Sequence, residues 1–293
     1  MAALIQLEDI GVIYPVHGQA PKTVLSGLNL QINRGEFIAV CGQTGCGKST
    51  MLRLILGAEK PAHGAVFIEG EVLPRPDRNR GYVPQKYSLF PDKTVLDNIT
   101  FGPEMEEFSI LGRLTARFFT RRRELRETAY ALLKQMGLDP ADAHKYPDQL
   151  SGGMQQRVAI AQALIMRPKI LLMDEAFSAL DPTTRSGMQC LLRTLWAETG
   201  TTILFVTHNL NEALYLGTRV IVLGKQNAQG STKVIADLAV PASARNDDGQ
   251  LRRDELDRLI HQVEQAGEPQ LAEAYSKKMK KGRSRGISPQ NRP

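Results

Sequence analysis

A glycine-rich loop between a predicted strand and a predicted helix most constrains the fold of this chain. The apolar run 37–40 is typical of a buried strand, and it leads directly into Gly42-Gln43-Thr44-Gly45-Cys46-Gly47-Lys48-Ser49. The next residues, 50–56, have helical spacing and stop at Gly57. Glycines permit tight turns in which successive N–H groups point inward, so the loop is expected to cradle phosphates. Strand, loop and helix together predict an α/β phosphate-loop (P-loop) core.

Two side chains at the end of this loop and two farther along the chain carry the expected chemistry. Lys48 is expected to reach the β- and γ-phosphates of a nucleotide, and the Ser49 hydroxyl to ligate Mg²⁺. Asp174 and Glu175 follow the apolar run 170–173, at the carboxyl end of a predicted buried strand, where α/β sheets bind ligands. We expect Asp174 to hold Mg²⁺ through water and Glu175 to orient or deprotonate the attacking water.

A histidine and a glutamine have weaker signals. His208 follows Thr207 at the end of the apolar run 203–206. A lone histidine there is more often structural, and the alternative is a hydrogen bond to the γ-phosphate. Gln85 follows a predicted strand at 81–83 and is expected either to complete the Mg²⁺ shell or to sense the γ-phosphate.

A second phosphate-binding segment lies about a hundred residues after the first. Residues 150–157 read Leu-Ser-Gly-Gly-Met-Gln-Gln-Arg. Ser151, Gly152 and Gly153 would open a helix whose N–H groups and hydroxyl face an anion. A protein with one phosphate cradle needs another only if two copies share a nucleotide, so this segment predicts paired protomers.

Taken in order, these motifs resemble the ATP-binding-cassette (ABC) ATPase family over residues 4–223. The correspondence covers the phosphate loop, Gln85, residues 150–157 as the family signature, residues 170–175, residues 178–181 as the loop crossing the dimer interface, and His208. The resemblance implies an α/β P-loop NTPase (RecA-like) core with an N-terminal antiparallel β subdomain and an inserted helical subdomain at about 86–166.

The same resemblance assigns ligands and roles. It implies ATP and Mg²⁺ as cofactors, with Mg²⁺ at Ser49, Gln85 and Asp174, and hydrolysis by Glu175, Gln85 and His208. In the family, Ser151 and Gly153 contact the γ-phosphate held by the opposite subunit. The remaining nucleotide contacts would come from the phosphate loop itself, Thr50, Gly152, and Tyr14 stacked on adenine. The connection 15–21 after Tyr14 is longer than usual, and Asn209 stands where an Asp often follows the histidine.

The C-terminal residues differ in charge from the rest of the chain. The formal charge is +6, but residues 276–293 carry seven cations and no acid, which leaves about −1 elsewhere. We expect an ABC ATPase domain at 1–239, a C-terminal helical extension at 240–266 and a disordered basic tail at 267–293. A contact of the tail with anionic lipid headgroups is the alternative.

The kind of cassette is indicated by residues 88–99, which resemble the importer groove that receives a membrane partner. The overall sequence most resembles the nitrate, sulfonate and taurine importers, although Asp92 stands where they usually have Trp. The expected partners are a second ATPase subunit, taken as a homodimer with a different gene product left open, a transmembrane permease, and indirectly a solute-binding protein. With no apolar run of about 20 residues and no signal-like N-terminus, we expect a peripheral protein on the cytoplasmic face of the inner membrane.

Two alternatives stay open. The rival function is a soluble ABC ATPase acting on nucleic acid or ribosomes; since the folded part is near neutral, no nucleic-acid partner is expected. Residues 104–126 interleave apolar side chains with arginines. Their apolar side is expected to pack on the helical subdomain while the arginines stay solvated, with docking on the membrane or its subunit as the alternative.

Overall fold

The computed structural model describes residues 3–18, 20–73, 75–86, 88–109, 111–225, 231–244 and 251–266. The predicted basic tail, 267–293, lies outside the described residues. So does Ile110, which belongs to residues 104–126, called the basic segment below.

Among the described residues, ten strands form one sheet in the order β5–β4–β1–β2–β10–β9–β3–β8–β7–β6. The strands are β1 (Ile5–Tyr14), β2 (Lys22–Ile32), β3 (Phe37–Gly42), β4 (His63–Ile68), β5 (Glu71–Val72), β6 (Arg80–Val83), β7 (Ile170–Asp174), β8 (Thr202–Thr207), β9 (Arg219–Lys225) and β10 (Thr232–Ala239). The strands predicted from apolar runs are confirmed. β10 was not predicted, because its residues are mostly half-buried and form no continuous apolar run.

The sheet has a parallel and an antiparallel half. β6, β7, β8, β3 and β9 run parallel, while β1, β2, β4 and β5 pair antiparallel. In the parallel half, Cys41 pairs with Thr207 and Asp174 pairs with Val206. The carboxyl ends of β3, β7 and β8 are therefore level at one edge of the sheet, where the polar residues predicted from the sequence follow them.

Seven α-helices accompany the sheet in the described part of the chain. They are α1 (Lys48–Leu56), α2 (Val95–Glu107), α3 (Ala116–Gln135), α4 (Gly152–Leu164), α5 (Pro182–Thr199), α6 (Leu210–Leu216) and α7 (Arg253–Gln265), with short 3₁₀ turns at Leu111–Leu114, Pro140–His144, Pro147–Gln149 and Ala242–Ala244. Helices α2 to α4 lie between β6 and β7, as the helical pattern of this region predicts. Residues 116–135 form one continuous helix, α3, since no glycine or proline interrupts them.

The side chains of the basic segment are not buried and solvated as the sequence predicts. Phe118 is buried, but Leu111, Leu114 and Phe119 are 78%, 80% and 62% exposed, so the prediction that the apolar side packs inward is wrong for these three. The arginines are also not simply solvated: Arg121, Arg122 and Arg126 pair with acids of α2 and α3.

The C-terminal helix packs against the cassette. Leu259, Ile260 and Val263 of α7 are buried in a cluster with Leu214 of α6 and Val222 of β9. The predicted extension, 240–266, thus contains a helix, α7, whose apolar side faces the core. In the described portion of the chain, none of the helices combines the length and apolar character needed to cross a bilayer.

Candidate functional site: the carboxyl edge of the parallel strands

The phosphate loop connects β3 to α1 and requires glycine for steric reasons. Gly47, which precedes α1, has φ +90°, and a Cβ there would lie 2.8 Å from Leu25 Cδ2. A Cβ at Gly42 would lie 2.4 Å from the carbonyl oxygen of Leu223. The Lys48 ammonium donates to the carbonyl oxygens of Gly42 and Gln43, at 2.8 and 2.9 Å. The loop thus forms a close-fitting cradle at a helix N-terminus, which suits a polyphosphate.

A hydroxyl and a carboxylate meet beside this cradle. Ser49 Oγ donates to Asp174 Oδ1 over 3.0 Å, although 125 residues separate them. Asp174 is buried, and this burial raises the pKa of its carboxyl group, while the Ser49 hydrogen bond opposes the shift. These are hard oxygen donors next to a phosphate cradle, so they fit Mg²⁺, a cation that commonly takes few protein ligands beside substrate phosphates.

Gln85 and His208 converge on Glu175, the residue after Asp174. Gln85 Nε2 donates to Glu175 Oε2 over 3.2 Å, and His208 Nδ1 lies 3.5 Å from the same oxygen. Glu175 has φ +44°, a left-handed conformation that costs a non-glycine residue about 1–3 kcal/mol. The strained turn directs the Glu175 carboxylate toward Gln85 and His208, and the histidine ring remains more than half exposed.

A buried acid that the sequence analysis missed braces the segment before the histidine. Glu212 of α6 accepts from Thr207 Oγ1 at 2.5 Å and from Gln189 Nε2 at 2.9 Å. Thr207 Oγ1 also accepts from the backbone N–H of Asn209, at 3.0 Å. In sequence, Glu212 looks like any acid in the first turn of a helix, so no signal marks it. Asn209 caps α6 by accepting from Asn211 N, and a neutral residue therefore serves at this position.

The signature residues form a second group with α5. Ser151 caps α4 and accepts from Met154 N at 3.3 Å, and Gly152 begins that helix. A Cβ at Gly153 would lie 2.7 Å from Thr184 Cγ2, so any other residue there would displace the Thr184 side chain of α5. Asp181 in turn caps α5 by accepting from the N–H groups of Thr183 and Thr184.

An arginine fastens the loop between Glu175 and α5. The Arg185 guanidinium donates to the carbonyl oxygens of Phe177 and Leu180, at 3.1 and 2.7 Å. Residues 178–181, predicted to cross a dimer interface, are thus held to the same helix that supports the signature. Arg185 was not predicted from the sequence, since a single arginine in a helix has no distinguishing pattern.

Tyr14 lies at the end of β1, beside α1. Its hydroxyl donates to the Glu59 carboxylate and accepts from Arg53 Nη2, at 3.2 Å. Arg53 also pairs with Glu59 over 3.1 Å, which fixes the tyrosine relative to α1, the helix that begins at the phosphate loop. Its role toward adenine stays a prediction.

Known proteins resemble the chain in both sequence and fold. A model of the ABC transporter family matches residues 25–178, more than half of the chain. The nitrate import ATP-binding protein of Synechococcus elongatus is 39% identical over 219 residues, 75% of this chain and 76% of that protein. The taurine import ATP-binding protein of Escherichia coli O157:H7 is 40% identical over 215 residues, 73% of this chain and 78% of that protein.

The likeness extends to a solved structure. A dimeric ATP-binding cassette in a post-hydrolysis state, bound to ADP and Pi, is 33% identical with a TM-score of 0.67. The match covers 81% of this chain and 99% of that one. The residues matched by the family model, 25–178, include the phosphate loop, the signature and Glu175. The chain therefore belongs to the ABC transporter family, as a nucleotide-binding ABC ATPase.

Proposed function

We propose that this chain is the ATP-hydrolysing subunit of an ABC importer, in which two copies close around ATP and drive a membrane permease. The observation that carries the proposal is the convergence of Ser49 with Asp174, and of Gln85 with His208 on Glu175, at the carboxyl ends of the parallel strands. This arrangement supplies a cation site and a candidate base beside a phosphate cradle.

The residues have separate tasks. Lys48 exchanges the carbonyl oxygens of its own loop for β- and γ-phosphate oxygens, and the loop N–H groups hold the remaining charge. Ser49, Asp174 and Gln85 hold Mg²⁺, which neutralises charge on the phosphates when bound. Glu175 orients and accepts a proton from the attacking water, and His208 donates a hydrogen bond to the γ-phosphate. Tyr14 stacks on adenine.

Pairing of two copies completes the site. Ser151 is exposed at the N-terminus of α4, where its hydroxyl and the first N–H groups can meet an anion from another molecule. In a twofold dimer, the signature of each copy contacts the nucleotide on the other copy's phosphate loop. ATP favours closure because the shared contacts exist only in the closed state.

Two relatives with named import roles support the proposal that the chain serves an importer. Nitrate and taurine import are the stated roles of two relatives that match about three quarters of this chain. We propose a solute of the nitrate, sulfonate or taurine type, delivered by a solute-binding protein to a permease. The ATPase would then lie on the cytoplasmic face of the inner membrane.

An exposed apolar patch is proposed as a second permease contact, in addition to the groove predicted at residues 88–99. The patch consists of Leu111 and Leu114, in the 3₁₀ turn between α2 and α3, and Phe119, in the first turns of α3. The neighbouring Arg121 and Arg122 are held in ion pairs by Glu107 and Glu104, at 2.7 and 3.1 Å. Since these two charges are neutralised within the protein and the three apolar side chains stay exposed, we propose an apolar surface of the permease as their partner.

The ATP-bound dimer tests this proposal. Glu175→Gln removes the base but keeps the size of the side chain, so we expect ATP binding with turnover at least about a hundredfold lower. Light scattering should show an ATP-dependent dimer of the variant. The matched control Glu124→Gln, on exposed α3, should turn over ATP normally and dimerise only transiently. Rapid turnover by Glu175→Gln would remove Glu175 from the proposed role.

A further inference from the structure

A cavity opens at the opposite edge of the sheet from the phosphate loop. Its volume is about 610 Å³, within the usual range for small-ligand sites. It is lined by α3, by the end of α4 with the segment before β7, and by the end of α5 with the segment before β8. Since α4 has 13 residues and rises about 1.5 Å per residue, the cavity is about 20 Å from Ser151. It is therefore separate from the nucleotide site.

The walls are apolar. Leu132 of α3, Leu164 and Ile165 at the end of α4, Pro168, and Leu195 of α5 line the space. Burying an alkyl chain of a few carbons against such walls is favourable, because it removes apolar surface from water. The cavity therefore suits a ligand with a short apolar body.

The rim is cationic. Arg34, Arg167 and Lys169 border the opening. Arg34 and Lys169 share one acid, Glu69, with Lys169 Nζ 2.7 Å from its carboxylate. The Arg167 side chain is exposed and, within the described residues, makes no hydrogen bond or ion pair. Glu69 offsets one of the three cations and Glu198, bonded to Gln135 of the lining, offsets another, so about one positive charge, that of Arg167, is left for a ligand.

We propose that this cavity binds a short amphipathic anion, an alkyl carboxylate or alkyl sulfonate, with its acid group at Arg167 and its chain between α3 and α5. The same elements lead to the nucleotide edge: α4 begins at the signature, and β7 and β8 end at Asp174 and Thr207. An occupant wedged against the end of α4 shifts Ser151 relative to the sheet, so the cavity regulates pairing of the cassettes. This regulatory consequence rests on the proposed function, whereas binding does not.

Calorimetry with three probes tests the binding on the full-length protein. Hexanesulfonate should bind one site per chain, and 1-hexanol and inorganic sulfate should each bind at least about tenfold more weakly, because each lacks one of the two features. Equal affinity for hexanol would refute the role of the cationic rim. No saturable binding of hexanesulfonate at millimolar concentration would refute the site.

Three variants locate the site. Arg167→Asn removes the charge and tolerates the left-handed backbone at φ +50°, and it should weaken hexanesulfonate about tenfold. Ala131→Phe, on the exposed face of α3 at the cavity wall, should block binding. The control Arg123→Asn, elsewhere on α3, should bind as the parent does. ATP binding by each variant verifies folding, and parental affinity in both cavity variants would place the ligand elsewhere.

ATP turnover tests the coupling. Saturating hexanesulfonate should change the maximal rate at least about twofold in the parent chain and leave it unchanged in Ala131→Phe, with ATP affinity of the monomer unaltered. An unchanged rate at full occupancy would refute the coupling. Absence of ATP turnover without the anion would refute the proposed function instead, while the calorimetric result would stand.

Discussion

The contact between Thr207 and Glu212 is expected to position His208. Thr207 and Glu212 are both buried, and the threonine hydroxyl donates to the carboxylate over 2.5 Å while accepting from Asn209 N. Thr207→Val keeps the shape but leaves a carboxylate oxygen and an N–H without this partner. Each such loss costs about 1–3 kcal/mol, so we expect the free energy of unfolding to fall by about 2–6 kcal/mol.

Thr207→Ser is the matched control. It keeps the hydroxyl and loses one buried methyl group, which costs about 1 kcal/mol. Urea unfolding should therefore give a clearly lower midpoint for the valine variant than for the serine variant, at similar slope.

Turnover separates a positioning role from a purely structural one. Since His208 directly follows Thr207, the valine variant should lose at least about tenfold in kcat, while its ATP affinity stays within about twofold of the parent's. The serine variant should keep most of its kcat. If valine and serine behaved alike in both stability and kcat, the Thr207–Glu212 bond would not be the brace we describe.

Three further predictions concern charge, the exposed patch and the signature. Although burial opposes it, the Thr94 hydroxyl and two arginines of α3 lower the pKa of Asp97 below its usual 3.8, so its stabilisation is present above that pH and lost as pH falls through the lowered value. Asp97→Asn should thus destabilise the chain at pH 7 in urea unfolding, the difference shrinking below about pH 4, and a constant difference would contradict the assignment. Replacing Leu111 and Leu114 together by Gln should change the free energy of unfolding by less than about 0.5 kcal/mol per site. The same change should reduce the amount of a co-expressed permease that co-purifies with the chain. A large loss of stability would mean that these leucines belong to the core. Ser151→Asp keeps the helix cap but repels phosphate, so hydrolysis should be lost while monomer affinity for ATP is kept; collapse of that affinity would contradict a role across the interface.

Local patterns were sufficient to predict the parallel core from the sequence. Each of its strands is a short apolar run that ends at a polar residue, and the phosphate loop has steric requirements that only glycines meet. Parallel strands place their carboxyl ends together, so Asp174, Glu175 and His208 were expected near Ser49 before any contact was known.

Other features depend on tertiary contacts that single-sequence patterns do not record. The residues of β10 show only a weak alternation of apolar and polar side chains. Its position in the sheet is set by backbone pairing with β2 and β9. Glu212 matters because a threonine and a glutamine from other elements reach it. The exposure of Leu111 and Leu114 likewise reflects the absence, in the described chain, of any surface that covers them.

Complementation between two inactive variants tests the central claim, that each hydrolytic site is assembled from two copies. Glu175→Gln lacks the base and Ser151→Asp lacks the signature contact, so each alone should be inactive. Mixed dimers contain one site with both groups intact. If the variants paired at random, about half of the dimers would be mixed and each would have one working site of two, so about a quarter of the parent's activity is the upper bound. Self-pairing of Glu175→Gln with ATP lowers the recovery, which should still lie well above that of either variant alone. A mixture as inactive as its components would contradict the account, as would full turnover by Ser151→Asp alone.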